Sequence, residues 1–431
     1  MISSCDEILY LSYCESSSDE GKDIPSMFLD EILSFFEEEK IRTINVDMDY
    51  LLKNNIDEIT TKKDFSSYLL FNYYKGESGL EDYFYIHNHL DKDKLQIIND
   101  QIHCEAERYK DTFNQYNGLL DDENIKRDIG NLHKDKIYSN TYLESYAKCP
   151  YYFLLNNLLE IDEIEKSFEY YSPIDMGNVY HKVLRQYYLT FKEEIADHVS
   201  GKEIFIVEET LDYLLALVKK NCRMIGINTE QRIGELILEN TFDRLKEFIE
   251  KDIDRLTNGK EKLIPMDFEV EFGRDSTFEI EVDGEKIKLA GVIDRIDKSL
   301  KDNKYVIIDY KSSDFGLRDI EDIKKGLSLQ LPIYIMSQYN KDVVAAAYGT
   351  LSKGNFDIKL GLIDETKLIT KRNKGALNKE EWDNLIDITK KNIMESRRGI
   401  LNGNFSINPL ECSSYCIYKN ICRYKDALEV E

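Results

Sequence analysis

Two acidic residues and a lysine lie at the ends of apolar segments in the stretch LAGVIDRIDKSLKDNKYVIIDYKSS, which spans residues 289–313. Asp294 and Asp309 each follow a run of Val and Ile, and Lys311 comes two residues after Asp309. A carboxylate at the edge of an apolar core is costly unless a cation compensates its charge. Hard divalent cations prefer oxygen ligands. Asp294 and Asp309 therefore predict a Mg²⁺ or Mn²⁺ site.

The spacing of these residues predicts a β-hairpin, because two apolar runs flank a polar turn rich in Lys, Asp and Asn. Residues two apart in a strand point to the same face, so Lys311 would project beside Asp309. From there its amine would position or activate an attacking water, or hold a phosphate group. A surface hairpin with charged ends is the alternative reading, and Asp-Tyr-Lys by itself does not distinguish the two.

Two predicted helices carry further polar residues toward this hairpin. Gly177, His181 and Leu184 fall on one face of the first helix, and packing against the hairpin would bring the His181 imidazole to the carboxylates. An imidazole beside two carboxylates suits Mn²⁺ and is tolerated by Mg²⁺. Gln330 and Tyr334 lie one turn apart on the second helix, where they would orient Lys311 or bind a phosphate. Taken alone, each of these residues favours the alternative of an ordinary helix residue.

Three cysteines near the end of the chain form a C-x3-C-x5-C pattern, and a fourth precedes an aromatic run much earlier. Thiolates this close together favour a metal over disulfides, and both zinc and iron–sulfur sites usually take four ligands. The predicted ligands are Cys149, Cys412, Cys416 and Cys422. The remaining cysteines lack a comparable setting and are predicted to be buried thiols: Cys5, Cys14, Cys104 and Cys222.

The chain of 431 residues is long enough for two or three domains, and its charge is strongly negative. A net charge of −25 argues against a general nucleic-acid binder, since phosphate contacts need Lys and Arg. Residues 1–140 hold 30 Asp and Glu against 15 Lys and Arg, and their pattern is mostly helical. We therefore predict an acidic, mainly helical region over residues 1–137 and a second domain over residues 138–431.

The sequence contains no apolar run long enough to span a membrane, and its acidic N-terminus differs from a secretory signal peptide. The cysteines are scattered over a long chain, unlike a secreted disulfide framework. These features predict a cytoplasmic protein with no membrane partner. The chain also lacks the G-x-x-x-x-G-K-S/T loop with which many ATPases bind phosphate.

Four motifs in this order resemble the RecB-type nucleases of the PD-(D/E)XK superfamily. They are Gly177-x3-His181-x2-Leu184, Gly291-x2-Asp294-Arg295-x-Asp297, Asp309-Tyr310-Lys311 and Gln330-Leu331-x2-Tyr334. The four candidate cysteines resemble the iron–sulfur branch of that family, in which one distant Cys and a C-terminal trio hold a 4Fe–4S cluster. The trio here has one residue more between its first two cysteines than the family's usual C-x2-C-x5-C. The resemblance covers residues 138–423.

The resemblance implies an α/β fold of the restriction-endonuclease type, a mixed β-sheet flanked by helices, closed by the iron–sulfur cluster. The catalytic set that it implies is His181, Asp294, Asp309, Lys311, Gln330 and Tyr334. The implied ligands of Mg²⁺ or Mn²⁺ are His181, Asp294, Asp309 and the carbonyl of Tyr310. Arg295 and Asp297 are expected to support these ligands without binding the metal themselves. Zinc remains the alternative occupant of the cysteine site.

Within this branch, the segment LYLSYCESSSDEGKDIPSMFLDEI is similar to the end of the helicase-like part of AddB/RexB subunits of bacterial helicase–nucleases. The implied function is metal-dependent hydrolysis of DNA, as an exonuclease in double-strand break repair and recombination, with an AddA-type subunit as partner. Residues 1–137 would then be a remnant of the helicase-like part. Two alternatives stay open: a DNA-binding or scaffolding subunit without autonomous activity, and a CRISPR-associated iron–sulfur exonuclease.

Overall fold

The computed structural model describes residues 11, 27–36, 41, 92–108, 112–161, 172–274, 277–352, 354–422 and 424. The chain divides into two compact units, residues 1–102 and 103–431. The described helices that begin in the first unit are α1 (Met27–Leu33) and α2 (Lys92–Arg108), which continues into the second. Most of the predicted helical region over residues 1–137 lies outside the described residues, and its boundary at residue 137 stays a prediction.

Helices precede and follow the strands of the second unit. Those before the strands are α3 (Glu123–His133), α4 (Asn140–Lys148), α5 (Pro150–Phe153), α6 (Pro173–Thr190), α7 (Lys192–Ser200), α8 (Leu211–Met224) and α9 (Arg232–Asn258). Those after the first strands are α10 (Ile320–Lys324), α11 (Gln330–Ser337), α12 (Lys379–Leu401) and α13 (Lys419–Cys422). Of the helices that the structure describes, none is both long and apolar enough to cross a membrane.

Local sequence fixes the starts of the helices that carry candidate residues. The Ser139 hydroxyl accepts a hydrogen bond from the Tyr142 N–H and caps α4. The start of α6 is a capping box, in which Ser172 and Asp175 satisfy each other's backbone N–H groups and Pro173 occupies the first helical position. These caps set where α4 and α6 begin, and α6 is the helix that carries His181.

Six strands form one mixed sheet in the order β1-β4-β5-β6-β7-β8. The pairs β5–β6 and β7–β8 are parallel, and the other neighbours are antiparallel. The strands are β1 (Leu263–Phe272), β4 (Gly291–Ser299), β5 (Lys304–Lys311), β6 (Asp342–Thr350), β7 (Asn355–Leu362) and β8 (Ala376–Leu377). A mixed sheet flanked by helices confirms the predicted α/β fold class.

Two further strands lie outside the main sheet, and they end just before β4 begins. β2 (Phe278–Val282) and β3 (Glu285–Leu289) form a separate hairpin, and β4 starts only at Gly291. The backbone of Tyr138 binds both Lys288 and Ala290, which draws β3 away from the main sheet. A Cβ at Gly291 would lie 2.7 Å from the Phe272 ring, so a larger residue at the start of β4 would have to displace that ring.

Both faces of the sheet are covered, and β5 alternates between two hydrophobic clusters. Tyr305 and Ile307 belong to the cluster that includes α11 and α12, while Val306, Ile308 and Tyr310 join the cluster of α6, α8 and α9. A strand buried on both faces reads as a continuous apolar run, which is why the residues before Asp309 are all apolar. The same alternation directs Asp309 and Lys311 toward the side of α11.

A buried cluster of charges joins α9 to β4. The Arg295 side chain is fully buried, with Nη1 2.5 Å from Asp252 Oδ2 and Nε 2.5 Å from Asp297 Oδ1. Arg255 Nη2 lies 2.8 Å from Asp252 Oδ1 and 3.0 Å from Asp297 Oδ2. Burial alone would raise the pKa of Asp252, but the two guanidinium groups outweigh it and lower that pKa. Arg295 also donates to the Tyr310 hydroxyl at 3.3 Å, and so supports the strand that carries Asp309.

We expect Asp252→Ala to lower the free energy of unfolding by about 3–5 kcal/mol, because it removes one of the two carboxylates that compensate the buried Arg295 guanidinium. Since the guanidinium groups hold the pKa of Asp252 below its unfolded value, this stabilisation exists above the unfolded pKa. The stabilisation is lost as the pH falls through the native pKa of Asp252. The difference in free energy of unfolding between Asp252→Ala and wild type should therefore become smaller in acid. Urea denaturation across that pH range measures it. The control is Asp254→Ala on the exposed face of the same helix, and equal losses in both variants would contradict the assignment.

Candidate metal-dependent active site

The antiparallel pairing of β4 with β5 brings the two candidate carboxylates together. The register pairs Arg295 with Ile308, so Asp294 and Asp309 are the next residues on the two strands. Asp294 Oδ2 accepts a hydrogen bond of 2.7 Å from the backbone N–H of Tyr310. The site therefore lies at one end of the β4–β5 ladder, where both strands leave the apolar core.

Asp309 is a buried carboxylate whose negative charge is only partly compensated by the positive charge around it. Its residue is only 2% exposed, and Lys311 Nζ lies 2.7 Å from Oδ2. Among the described residues, Oδ2 has no partner with hydrogen-bond geometry. Burial and the charge of Asp294 raise the pKa of Asp309 to about 7, against the opposing effect of Lys311. A carboxylate pair with this electrostatic environment favours a divalent cation.

His181 reaches the same site from α6. Its Nδ1 lies 3.0 Å from Asp294 Oδ1, and its ring meets the Tyr310 ring edge-on. Burial acts to lower the pKa of His181, but the hydrogen bond and charge of Asp294 outweigh it, so the pKa is raised. Helix α6 can approach this closely because Val179, Val183 and Leu184 are buried in the hydrophobic cluster that it shares with α8, α9 and the sheet.

Lys311, Gln330 and Tyr334 form a series of contacts that ends on Asp309. Gln330 Oε1 accepts a hydrogen bond from Lys311 Nζ at 2.9 Å. Gln330 Nε2 donates to Asp309 Oδ1 at 2.7 Å and lies 2.9 Å from the Tyr334 hydroxyl. The side chain of Gln330 thus holds the amine of Lys311 beside the carboxylate. Lys311 Nζ also lies 5.3 Å from the centre of the Tyr348 ring.

Two residues that the sequence did not single out contribute to this site. Glu144, on α4, accepts backbone N–H hydrogen bonds from Leu329 at 2.6 Å and Gln330 at 3.2 Å. Tyr348, on β6, lies in register with Asp309. No local pattern identifies Glu144, because its partners lie more than 180 residues later in the chain. Tyr348 reads simply as part of an apolar strand.

Arg295 and Asp297, expected to support the metal ligands, pair with each other in the protein interior. Their link to the site runs through the Tyr310 hydroxyl.

The donor set of His181, Asp294 and Asp309 suits Mg²⁺ or Mn²⁺, since it combines carboxylate oxygens with one imidazole. In the part of the chain that the structure describes, no three His, Cys, Asp or Glu side chains already surround one metal-sized position. The chemistry and the unbalanced charge at Asp309 fit a divalent cation. The ligand assignment, including the carbonyl of Tyr310, stays a prediction.

The four candidate cysteines line a single cavity of about 860 Å³, and Lys311 and Gln330 line it too. The Tyr152 N–H lies 3.4 Å from Cys149 Sγ, at the start of α5. Burial raises the pKa of Cys149, and Cys422 and Cys416 lie near enough to raise it further. The pKa of Cys422 is raised by burial and, to a smaller extent, by Cys416 and Cys412. Four thiols around one cavity are a donor set that fits an iron–sulfur cluster or zinc.

A family profile described as "PD-(D/E)XK nuclease superfamily" matches residues 138–423. The chain belongs to the PD-(D/E)XK nuclease superfamily. This match covers all the motifs assembled above and confirms the expected family.

Several curated proteins similar to this PD-(D/E)XK chain are named as one subunit of an "ATP-dependent helicase/deoxyribonuclease". The Clostridium novyi relative is 26% identical over 97% of this chain and 42% of its own length. The Thermoanaerobacter sp. relative is 26% identical over 70% of this chain and 31% of its own length. The chain therefore spans less than half of these relatives. The crystal structure of SSO0001 aligns at 15% identity over 66% of this chain, with a TM-score of 0.21 that supports no argument.

We expect Mn²⁺ to stabilise the wild-type chain against urea, by about 2.7 kcal/mol at a hundredfold excess over the dissociation constant. Asp309→Asn should lose most of this stabilisation, because it removes one charged ligand. The matched control is Asp302→Asn in the exposed turn of the same hairpin, which should respond to Mn²⁺ as wild type does. An undiminished response in Asp309→Asn would show that the cation binds elsewhere.

Proposed function

We propose that this chain hydrolyses DNA phosphodiester bonds with the aid of Mg²⁺ or Mn²⁺. The observation that carries the proposal is the junction of Asp294, Asp309 and Lys311 at the end of one strand pair, with the Lys311 amine held by Gln330. A surface hairpin with charged ends would have no reason to bury Asp309. Membership of a nuclease superfamily supports the same chemistry.

In this proposal Asp294 and Asp309, with His181 and the carbonyl of Tyr310, hold the cation. When bound, such a cation stabilises negative charge on the phosphate and makes water a better nucleophile near neutral pH. The Lys311 amine donates a hydrogen bond to the attacking water or to a phosphate oxygen, and the Gln330 amide keeps it in place. Tyr334 completes this arrangement through its contact with Gln330.

We further propose that the chain acts as an AddB-type exonuclease in repair and recombination of DNA double-strand breaks. The names of the relatives support this, since each is called a helicase/deoxyribonuclease subunit. The sequence contains no phosphate-binding loop of the ATPase type, so a helicase partner of the AddA type would supply ATP-driven movement. The net charge of −25 favours a second candidate, a subunit that cleaves DNA only within such a complex.

We also propose that Cys149, Cys412, Cys416 and Cys422 hold a 4Fe–4S cluster with a structural role. All four thiols line one cavity, and neighbouring thiols raise the pKa values of Cys149 and Cys422, which supports one shared metal group. Such a group would join α4 and α5 to the C-terminal segment. By analogy with a disulfide that closes a long loop, this link would stabilise the folded chain by about 4–5 kcal/mol.

The test of nuclease function is degradation of end-labelled single-stranded DNA with Mg²⁺ or Mn²⁺ and no ATP. Asp309→Ala should lower the rate by roughly 100-fold or more, because the site loses both a ligand and the partner of Lys311. Asp302→Ala removes an exposed carboxylate from the same hairpin and should leave the rate unchanged.

Equal rates in wild type and Asp309→Ala would refute the assigned site. Inactive wild type that becomes active only with an AddA-type partner would favour the second candidate.

For the cysteine site, Cys412→Ala should lose the bound metal and lower the unfolding midpoint. Metal analysis and visible absorption of anaerobically purified protein measure occupancy, and a thermal melt measures stability. Cys104→Ala, in α2, is the matched control and should retain both. Zinc in place of iron would identify the alternative occupant, and a Cys412→Ala variant with full metal content would rule out the assignment.

A further inference from the structure

Helix α11 lacks a capping side chain from its own sequence. Its N-terminal neighbour is Leu329, which offers no side-chain acceptor to the free N–H groups of the first turn. Gln330 is the first residue of this helix. The position of the Gln330 side chain, which holds Lys311 and Asp309, therefore depends on how that first turn is anchored.

Glu144 supplies the missing cap from another helix. Its Oε1 accepts from the N–H of Leu329 at 2.6 Å and from the N–H of Gln330 at 3.2 Å. Hydrogen bonds that backbone N–H groups donate to a carboxylate are strong and directional. Negative charge is also favoured at the N-terminus of a helix. Both effects fix α11 at the residue whose side chain enters the site.

Helix α4, which carries Glu144, is itself anchored at its other end. The carbonyl of Lys148, its last residue, accepts from the N–H groups of Leu410 at 3.0 Å and Glu411 at 3.3 Å. The next residue is Cys149. The helix thus links Cys149 to the first turn of α11, which gives Glu144 a fixed position from which to act.

We propose that Glu144 is a positioning residue for hydrolysis, acting through Gln330 to hold the Lys311 amine beside Asp309. This inference rests on the proposed nuclease function. Glu144 does not contact the DNA or the cation in this scheme. Its Oε1 acceptor is what matters, because that atom binds the two backbone N–H groups.

The kinetic test compares Glu144→Ala, Glu144→Gln and Gln330→Ala on single-stranded DNA with Mg²⁺. Glu144→Ala should lower kcat by roughly 10-fold with little change in KM, since a small displacement of a positioned group is costly to rate. Glu144→Gln keeps an oxygen acceptor and should restore kcat close to wild type. In a Gln330→Ala background, Glu144→Ala should cause no further loss, because the two residues act in series.

A second readout does not require activity. Hydrogen exchange of the amides in residues 327–337 should accelerate in Glu144→Ala and stay slow in Glu144→Gln, as judged by mass spectrometry. Glu239→Ala, which removes an exposed carboxylate from α9, is the charge-matched control and should resemble wild type in both measurements.

These measurements separate failure of this inference from failure of the proposed function. Unchanged exchange in Glu144→Ala overturns the positioning role whether or not the chain cleaves DNA. If Asp309→Ala abolishes cleavage while Glu144→Ala retains full kcat, the nuclease assignment stands and the role of Glu144 is refuted. Equal losses in Glu144→Gln and Glu144→Ala, or additive losses with Gln330→Ala, would also refute it.

Discussion

The burial of the Arg295 guanidinium is the constraint on which the sheet and the site depend. Removing this cation from water is costly, and two carboxylates compensate it, Asp252 from α9 and Asp297 from its own strand. The pairing fixes α9 against β4 at a defined position. Arg295 also donates a hydrogen bond to the Tyr310 hydroxyl. The same cluster therefore supports β5 at the residue next to Asp309. An arrangement this rigid suits a site that must hold its groups before substrate arrives.

Two buried acids, Asp252 on α9 and Asp309 on β5, have their pKa values shifted in opposite directions. Asp252 faces two guanidinium groups, and its pKa is lowered. Asp309 faces another carboxylate and a single amine, and its pKa is raised to about 7. Depth of burial alone does not account for the difference, since both residues are almost fully buried. The difference lies in the supply of positive charge, since two guanidinium groups face Asp252 whereas Asp309 lies beside a second carboxylate.

The cysteine cavity and the acidic site share structural elements. Lys311 and Gln330 line the cavity that the four thiols also line. Helix α4 connects the two, with Glu144 bound to the start of α11 and Cys149 directly after its last turn. A metal group at the thiols would therefore stabilise the same helix that anchors Gln330. In this way a metal group at the thiols would support the candidate acidic site through a shared helix.

Features that rest on local geometry follow from the order of the amino acids alone. Strand periodicity places Lys311 on the same face as Asp309, and a Ser-Pro-x-Asp start sets the beginning of α6 and hence the side of His181. The order of motifs was sufficient to predict the family and the mixed α/β fold.

Contacts between distant residues, in contrast, are visible only in the folded chain. Asp252 meets Arg295 across 43 positions, Glu144 meets Gln330 across 186, and the strand break before Gly291 depends on the backbone of Tyr138. Hydrophobic periodicity reports which face of an element is buried, but not which polar group of another element lies opposite. Those partners, and with them the positions of the side chains in the candidate site, are set by packing of the whole domain.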